Sequence, residues 1–159
     1  MDLASREVFE DFDLTVEWKL PRGGNSGIMF RVIEDQPEPW QSGPEMQLLD
    51  DDDHPDGVLP ETSCGALYAL LAPRSRPSVP PERFHVARIA VRENAVEHWL
   101  NGERVVAYEI GSHDFIERVK RSKFAAYPRF AETRRGHIVL QHHGTEAWFR
   151  AIRIELPGR

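Results

Sequence analysis

The sequence predicts an all-β protein, a sandwich of antiparallel sheets with one short helix near residues 113–124. In residues 12–20 every second residue is apolar, which is typical of a strand with one buried face. The dipeptide Asn101-Gly102 lies between two strand-like runs and is the strongest short signal for a hairpin. About nine such runs, separated by turn residues, favour a sandwich or barrel whose sheets hide their apolar faces.

The predicted elements follow one another with long loops between some of them. Ser112 is the expected N-cap of the helix, which presents Phe115, Ile116 and Val119 on one stripe. Loops rich in Pro, Gly, Ser and acids, such as 34–44 and 73–83, are of the kind that often carries function. The predicted strands span residues 12–20, 26–33, 45–50, 66–72, 84–92, 95–100, 103–109, 136–143 and 147–156.

The composition and charge of the chain exclude several classes of function. The 159 residues carry a net charge of −6 and a mean hydropathy of −0.51, as an ordinary soluble domain does. No apolar run reaches the length of a membrane span, and no basic stripe with aromatics indicates a nucleic-acid partner. No apolar segment follows Met1, so we expect a cytoplasmic protein, or a periplasmic or secreted one if it is processed. The single Cys64 excludes an intrachain disulfide.

The strand at residues 45–50 is the first candidate for chemistry. Period two places Glu45 and Gln47 on one face and Met46 and Leu48 on the core face. A carboxylate beside an amide is a pattern that binds sugar hydroxyls. A solvated outer face explains the same pattern, so both interpretations stay open.

The segment at residues 136–143 is the second candidate. Gln141 and His143 share the face opposite Ile138, and histidine is well placed to move protons near pH 7. The alternative is a histidine at the rim that is hydrogen-bonded to backbone. His142 falls on the core parity unless the strand has already ended.

Other polar residues have two interpretations each. Arg31 interrupts an apolar strand and could hold an oxyanion or form a salt bridge between strands. Asn25 follows two glycines and could serve only the turn. Tyr68 is a hydroxyl donor or a core residue, and Trp99 is a platform for a sugar ring or a cover for a loop. The run that begins at Asp50 has oxygen ligands that calcium prefers, but lacks the spacing of an EF-hand.

Five segments recur in a familiar order. They are residues 12–14 with Gly24-Asn25-Ser26-Gly27-Ile28-Met29-Phe30-Arg31, Glu45-Met46-Gln47-Leu48-Leu49-Asp50, Gly65-Ala66-Leu67-Tyr68 with Ala72-Pro73, His98-Trp99-Leu100-Asn101-Gly102, and the stretch from Gly136 to Arg150. This set resembles the 3-keto-disaccharide hydrolase domain family, formerly a domain of unknown function. The match spans nearly the whole chain, and we expect a single domain over residues 1–159.

The resemblance implies a concanavalin A-like jelly-roll sandwich that cleaves 3-keto-glycosides or 3-keto-disaccharides. A ketone at C3 acidifies the C2 proton, a base removes that proton, and the aglycone leaves from C1. Water then adds back, so that the net reaction is hydrolysis. This elimination differs from the two-carboxylate displacement of ordinary glycosidases. The alternative function is a carbohydrate-binding module without catalysis on the same fold.

Residue roles also follow from the resemblance. His143 and Glu45 are the expected proton-transfer groups, and Arg31 is the expected partner of the enolate oxygen. Most of the expected substrate-binding residues are the remaining positions that match the family. Lys123 matches a subset of the family, and Trp99 is added as a platform for a sugar ring. The full set is Asn25, Gln47, Asp50, Tyr68, Trp99, Lys123 and Gln141. No organic cofactor is expected, and the metal stays unknown, with a divalent cation near Asp50 and His143 as the one candidate.

The sequence departs from the family at two places. The family commonly has Gln-Asp-His-Gly where this chain has Gln141-His142-His143-Gly144. The family domain also usually has an additional N-terminal segment before the strand that starts at Phe12. An edge strand is therefore expected to be missing or supplied by a partner, which favours a homodimer through a sheet edge. The expected ligand is a small sugar.

Overall fold

The computed structural model describes residues 1–158, so Arg159 of the predicted 1–159 domain lies outside the described residues. Within that range the chain forms nine strands and one α-helix. The strands are β1 (Leu3–Ala4), β2 (Phe12–Lys19), β3 (Asn25–Val32), β4 (Glu45–Leu49), β5 (His85–Arg92), β6 (Ala95–Leu100), β7 (Glu103–Glu109), β8 (His137–Leu140) and β9 (Trp148–Glu155); the helix is α1 (His113–Lys120).

Two antiparallel sheets build the fold. One has four strands in the order β1-β8-β3-β4, and the other has five in the order β7-β6-β5-β2-β9. The apolar faces of the two sheets meet in one core, to which Phe12, Ile28, Leu48 and Ile89 contribute. The predicted all-β sandwich with one helix is therefore confirmed.

The alternation in β2 shows why these residues form a strand. Phe12, Leu14, Val16 and Trp18 are buried, while the residues between them are only half-buried. β2 lies between β5 and β9, so its backbone is paired on both sides. Burial of the apolar set contributes about 1.5–3 kcal/mol for each large side chain.

The predicted strand at residues 66–72 is not a strand. The segment is a series of tight turns, and Ala69 has a φ of +58°. Its backbone nevertheless bonds to β4, because the N–H of Tyr68 donates to the carbonyl of Glu45 at 3.0 Å and the N–H of Gln47 donates to the carbonyl of Ala66 at 3.1 Å. We call residues 65–71 the turn segment. It covers the open edge of β4 and brings Tyr68 beside Glu45.

The predicted helix is split in two. Ser112 caps α1 as expected, because its hydroxyl accepts from the N–H of Phe115 at 3.2 Å. The helix ends at Lys120, and a 3₁₀ turn follows at Lys123–Ala126, capped by the hydroxyl of Ser122. This second start places Lys123 at the first position of the turn, where its side chain reaches the four-stranded sheet.

Smaller differences between the predicted and the observed strands lie toward the two ends of the chain. β1 was not predicted, since two residues are too few to show an alternation. The predicted strand at residues 136–143 stops at Leu140, so residues 141–143 form an irregular loop. Across residues 1–158, no helix is both long enough and apolar enough to cross a membrane.

Candidate active site

The outer face of the four-stranded sheet carries a polar cavity of about 140 Å³. The register of β3 and β4 sets its floor, since Gly27 lies opposite Gln47 and Met29 lies opposite Glu45. Residues from three loops, the turn segment and the 3₁₀ turn at Lys123–Ala126 close its sides. The lining residues are Asn25, Trp40, Glu45, Gln47, Asp56, Tyr68, Lys123, Gln141 and His143. We call this space the inner cavity.

Glu45 is the buried acid of the inner cavity. Its residue is only 5% exposed, and no salt-bridge partner lies within 4 Å among the described residues. Burial raises its pKa to about 8, against the opposing effect of Lys123 and with a smaller contribution from Asp2 and Asp56. A carboxyl with such a pKa can take up or release a proton close to neutral pH.

Gly27 makes room for that carboxyl. A Cβ atom at position 27 would overlap Oε1 of Glu45. The side chain of Glu45 therefore leans across the neighbouring strand and lies on the backbone of β3. The carboxyl of Glu45 can thus occupy this position only because residue 27 has no side chain.

Lys123 supplies the cation of the inner cavity. Its Nζ lies 4.7 Å from the ring centroid of Tyr68 and 4.9 Å from that of Trp40. Aromatic faces attract cations, so both rings help to hold the ammonium in place. Trp40 is itself held by Tyr127, whose ring lies edge-on at 4.8 Å.

Two amide oxygens in the inner cavity are buried and have no hydrogen-bond partner among residues 1–158. They are Oδ1 of Asn25 and Oε1 of Gln141. A neighbouring amide, Gln47, donates through Nε2 to the carbonyl of Thr62 at 3.0 Å. Buried polar atoms are usually satisfied, so unpaired acceptors point to a ligand with hydroxyl donors.

His143 lines the inner cavity, and a second histidine, His54, lies beside it. The rings of His143 and His54 lie 6.5 Å apart and are nearly perpendicular. Nδ1 of His54 accepts from the N–H of Asp56 at 3.1 Å, and its Nε2 lies 3.4 Å from the side-chain amide of Asn25. The side chain of His143 is exposed to solvent.

Tyr68 completes the wall beside Glu45. Burial, together with the nearby Asp56 and Glu45 carboxyls, raises its pKa to about 12. Its phenol therefore stays protonated and can donate a hydrogen bond to a substrate oxygen.

The structure does not bring Arg31 to the inner cavity. The pairing of Met29 with Val139 and of Val32 with His137 leaves one additional residue in β3, and Arg31 there has a φ of +56°. This β-bulge reverses the alternation and turns Arg31 inward. Its guanidinium donates to the carbonyl of Glu93 and lies 3.5 Å from Oδ1 of Asn94, at the β5–β6 turn.

Two other expected site residues also lie elsewhere. Asp50 follows β4, and its carboxylate accepts from the N–H of Gly23 at 2.8 Å instead of facing the inner cavity. Trp99 belongs to the five-stranded sheet, where its indole N–H donates to Glu97 and the guanidinium of Arg88 covers its ring at 5.1 Å. Trp99 is thus a partner of a surface ion pair and not a wall of this cavity.

The cation expected near Asp50 and His143 stays a prediction, and these two residues line different hollows. Across residues 1–158, no three His, Cys, Asp or Glu side chains are grouped to hold a metal ion. The side chains that face the inner cavity are suited to proton transfer and to the binding of hydroxyl groups.

Sequence reasoning missed Trp40 and Asp56 as lining residues. Trp40 lies in a 3₁₀ turn at Pro39–Gln41, inside a loop with no periodicity. Asp56 lies in the acidic loop that was interpreted as solvated or calcium-binding. The loop signal was present in both cases, but only the tertiary fold shows which side chains turn toward β4.

Comparison with known families shows where the chain belongs. Residues 1–155 match the model of the 3-keto-alpha-glucoside-1,2-lyase-like domain. The chain belongs to this family. The resemblance noted from the sequence is therefore confirmed over nearly the whole chain.

Members and neighbours of the family extend the comparison. A 3-keto-disaccharide hydrolase of Bacteroides thetaiotaomicron is 32% identical over 178 aligned positions, which cover 98% of this chain and 61% of that relative. A crystal structure from Parabacteroides distasonis ATCC 8503, provisionally named a glycosyl hydrolase, has a TM-score of 0.91 at 28% identity, and the match covers 97% of this chain and 75% of that one. The carbohydrate-binding module CBM66 of Bacillus subtilis shares the fold, with a TM-score of 0.61 at 12% identity over 98% of this chain and 82% of that one.

Proposed function

We propose that the chain is a glycoside hydrolase or lyase domain that cleaves glycosides oxidised to a ketone at C3. The observation that carries the proposal is the buried Glu45 carboxyl, with its pKa near 8, beside Lys123 in a cavity that offers two unpaired amide oxygens. Membership of the 3-keto-alpha-glucoside-1,2-lyase-like family and the name of the Bacteroides relative support the same substrate class.

The reaction begins with proton abstraction. The ionised Glu45 carboxylate takes the proton from C2, and the electrons of the C2–H bond form an enolate across C2, C3 and the former ketone oxygen. The ammonium of Lys123 lies in the same cavity and stabilises the negative oxygen. This step needs a base whose pKa is close to the working pH, as burial gives Glu45.

The second step expels the leaving group. The enolate electrons return to form a C1–C2 double bond and the C3 ketone, and the C1–O bond breaks with its electron pair on the oxygen. His143, which lines the inner cavity, is placed to supply the proton that this oxygen needs. Addition of water across the double bond then gives the free 3-keto sugar.

Lys123 takes the role that the sequence suggested for Arg31. Both are cations, but only Lys123 lines the inner cavity. Asn25 and Gln141 serve as acceptors for sugar hydroxyls, and Tyr68 serves as a donor. Trp40 is the remaining wall of the inner cavity, and the apolar face of the sugar ring can pack against its indole ring.

The test is exchange at C2 in D₂O with a methyl 3-keto-glucoside, followed by release of methanol. Wild type should exchange the C2 proton and release the alcohol, and Glu45→Gln should do neither. Glu109→Gln, which changes an exposed acid on β7, is the matched control and should behave as wild type. Binding of the keto sugar with neither exchange nor release by wild type would overturn the proposal in favour of a binding module.

A further inference from the structure

A second hollow adjoins the inner cavity. It has a volume of about 460 Å³, and its own lining includes Asp2, Met29, Glu38 and His142. It shares Trp40, Gln141 and His143 with the inner cavity. We call it the outer hollow.

The inner cavity is too small to hold a whole glycoside. Its volume of about 140 Å³ lies below the ~300–1,000 Å³ that small-molecule sites usually have. The outer hollow supplies the missing volume on the side of His143. On the proposed mechanism, the bond that breaks therefore lies at the boundary marked by Trp40, Gln141 and His143.

The walls of the outer hollow differ in character. Met29 and Trp40 line this hollow, and both pack against the buried side chains of Val32 and Val139 behind it. The rim carries the carboxylates of Asp2 and Glu38, and Oδ1 of Asp2 accepts from the N–H of His142 at 2.8 Å. Among the described residues, no Lys or Arg side chain lines this hollow, and Met1, which also lines it, brings one N-terminal ammonium against the two carboxylates.

We propose that the outer hollow seats the leaving group and that its acidic rim selects against leaving groups with a negative charge. The inference rests on the proposed function of the inner cavity. A neutral group with an apolar face can pack against Trp40 and Met29. A carboxylate or phosphate on the same group meets like charge from Asp2 and Glu38, and specificity often depends on such repulsion.

The experiment compares two substrates that differ by one carboxylate, phenyl and 4-carboxyphenyl 3-keto-glucoside, at low ionic strength. The carboxylated phenol is the better leaving group, so intrinsic reactivity opposes the expected order. Wild type should nevertheless have a kcat/KM about tenfold higher for the phenyl substrate. The double variant Asp2→Asn with Glu38→Gln should reduce this preference at least threefold, and Glu38→Lys should reduce it further.

The control is Glu109→Gln, which should retain the preference because Glu109 lies on the other sheet. If wild type turns over both aryl substrates with equal kcat/KM, or if the rim variants keep the full preference, the selection by the outer hollow is wrong while the proposed function stands. If neither substrate nor the methyl glycoside reacts, the proposed function itself fails.

Discussion

The carboxyl of Glu45 rests on the backbone of Gly27, in space that any other residue at position 27 would fill. The two residues belong to neighbouring strands, and the side chain of Glu45 crosses from one to the other. The position of this carboxyl therefore depends on the lack of a side chain at Gly27. The position of the proposed base can therefore be altered without changing its chemistry.

Gly27→Ala should displace the Glu45 carboxyl and lower kcat on a 3-keto-glucoside by about 10²-fold, since a shift near 1 Å can cost that much. Steady-state kinetics on folded protein measures the effect. The control is a Glu45→Gln background, in which adding Gly27→Ala should change the residual rate little. Equal losses in both backgrounds would show that Gly27 acts independently of Glu45.

The raised pKa of Glu45 predicts a stability that falls with pH. The folded carboxyl keeps its proton up to a pKa of about 8, whereas the unfolded one loses it near 4.5. Between these values the folded state binds more protons, so the free energy of unfolding should fall by up to ~1.4 kcal/mol per pH unit as pH rises. Below pH 4.5 and above pH 8 this contribution is constant.

Urea unfolding at pH 5, 6, 7 and 8 checks this prediction. Glu45→Gln, which has no proton to lose, should flatten the pH dependence and be more stable than wild type at pH 8. Glu109→Gln should keep the slope of wild type, because Glu109 is exposed. A slope that Glu45→Gln leaves unchanged would assign the proton uptake to another group.

Lys123→Met should lower kcat by about 10²–10³-fold, since it removes the positive charge that faces the enolate oxygen. The apolar part of the side chain and its packing on Tyr68 are retained. Because Lys123 lowers the pKa of Glu45, its loss should also move the rising limb of the pH–rate profile upward. Lys120→Met, on the surface of α1, should change neither quantity. An unchanged profile for Lys123→Met would remove this lysine from the mechanism.

Arg31→Met should affect stability and leave catalysis intact. The guanidinium is 1% exposed and donates to the β5–β6 turn, so the change should cost about 1–3 kcal/mol in the free energy of unfolding. Burial already lowers the pKa of this guanidinium. The kcat of the folded variant should stay within about twofold of wild type, because Arg31 lies outside the inner cavity. A kcat two orders of magnitude below that of wild type in the folded variant would show that Arg31 takes part in the reaction.

Alternation alone predicted one strand of this site, and the resemblance to a known family indicated most of its other residues. In β4 the parity of residues placed Glu45 and Gln47 on the outer face, and the structure agrees. Alternation placed Arg31 on the wrong face of β3, because one additional residue in this strand reverses the parity. No feature of the local sequence indicates this bulge. Trp40 was not predicted as a site residue because its loop has no periodic pattern. Its position beside Lys123 depends on contacts between residues that are distant in sequence.

The cap at Ser112 shows where local signals suffice. A serine hydroxyl at the start of an amphipathic segment satisfies a free N–H through contacts within a few residues. The break between α1 and the 3₁₀ turn was not visible in that pattern, yet it is what aims Lys123 at the sheet. Short-range chemistry thus predicts where an element starts better than where it stops.

The turn segment has a consequence for self-association. Its backbone occupies hydrogen-bonding groups of Glu45 and Gln47 on the free side of β4, which is otherwise the last strand of its sheet. A second molecule cannot add a strand at those positions without first stripping the turn segment away. A homodimer built by strand addition would therefore need a different sheet edge, which leaves the β4 side of the inner cavity uncovered by a partner strand.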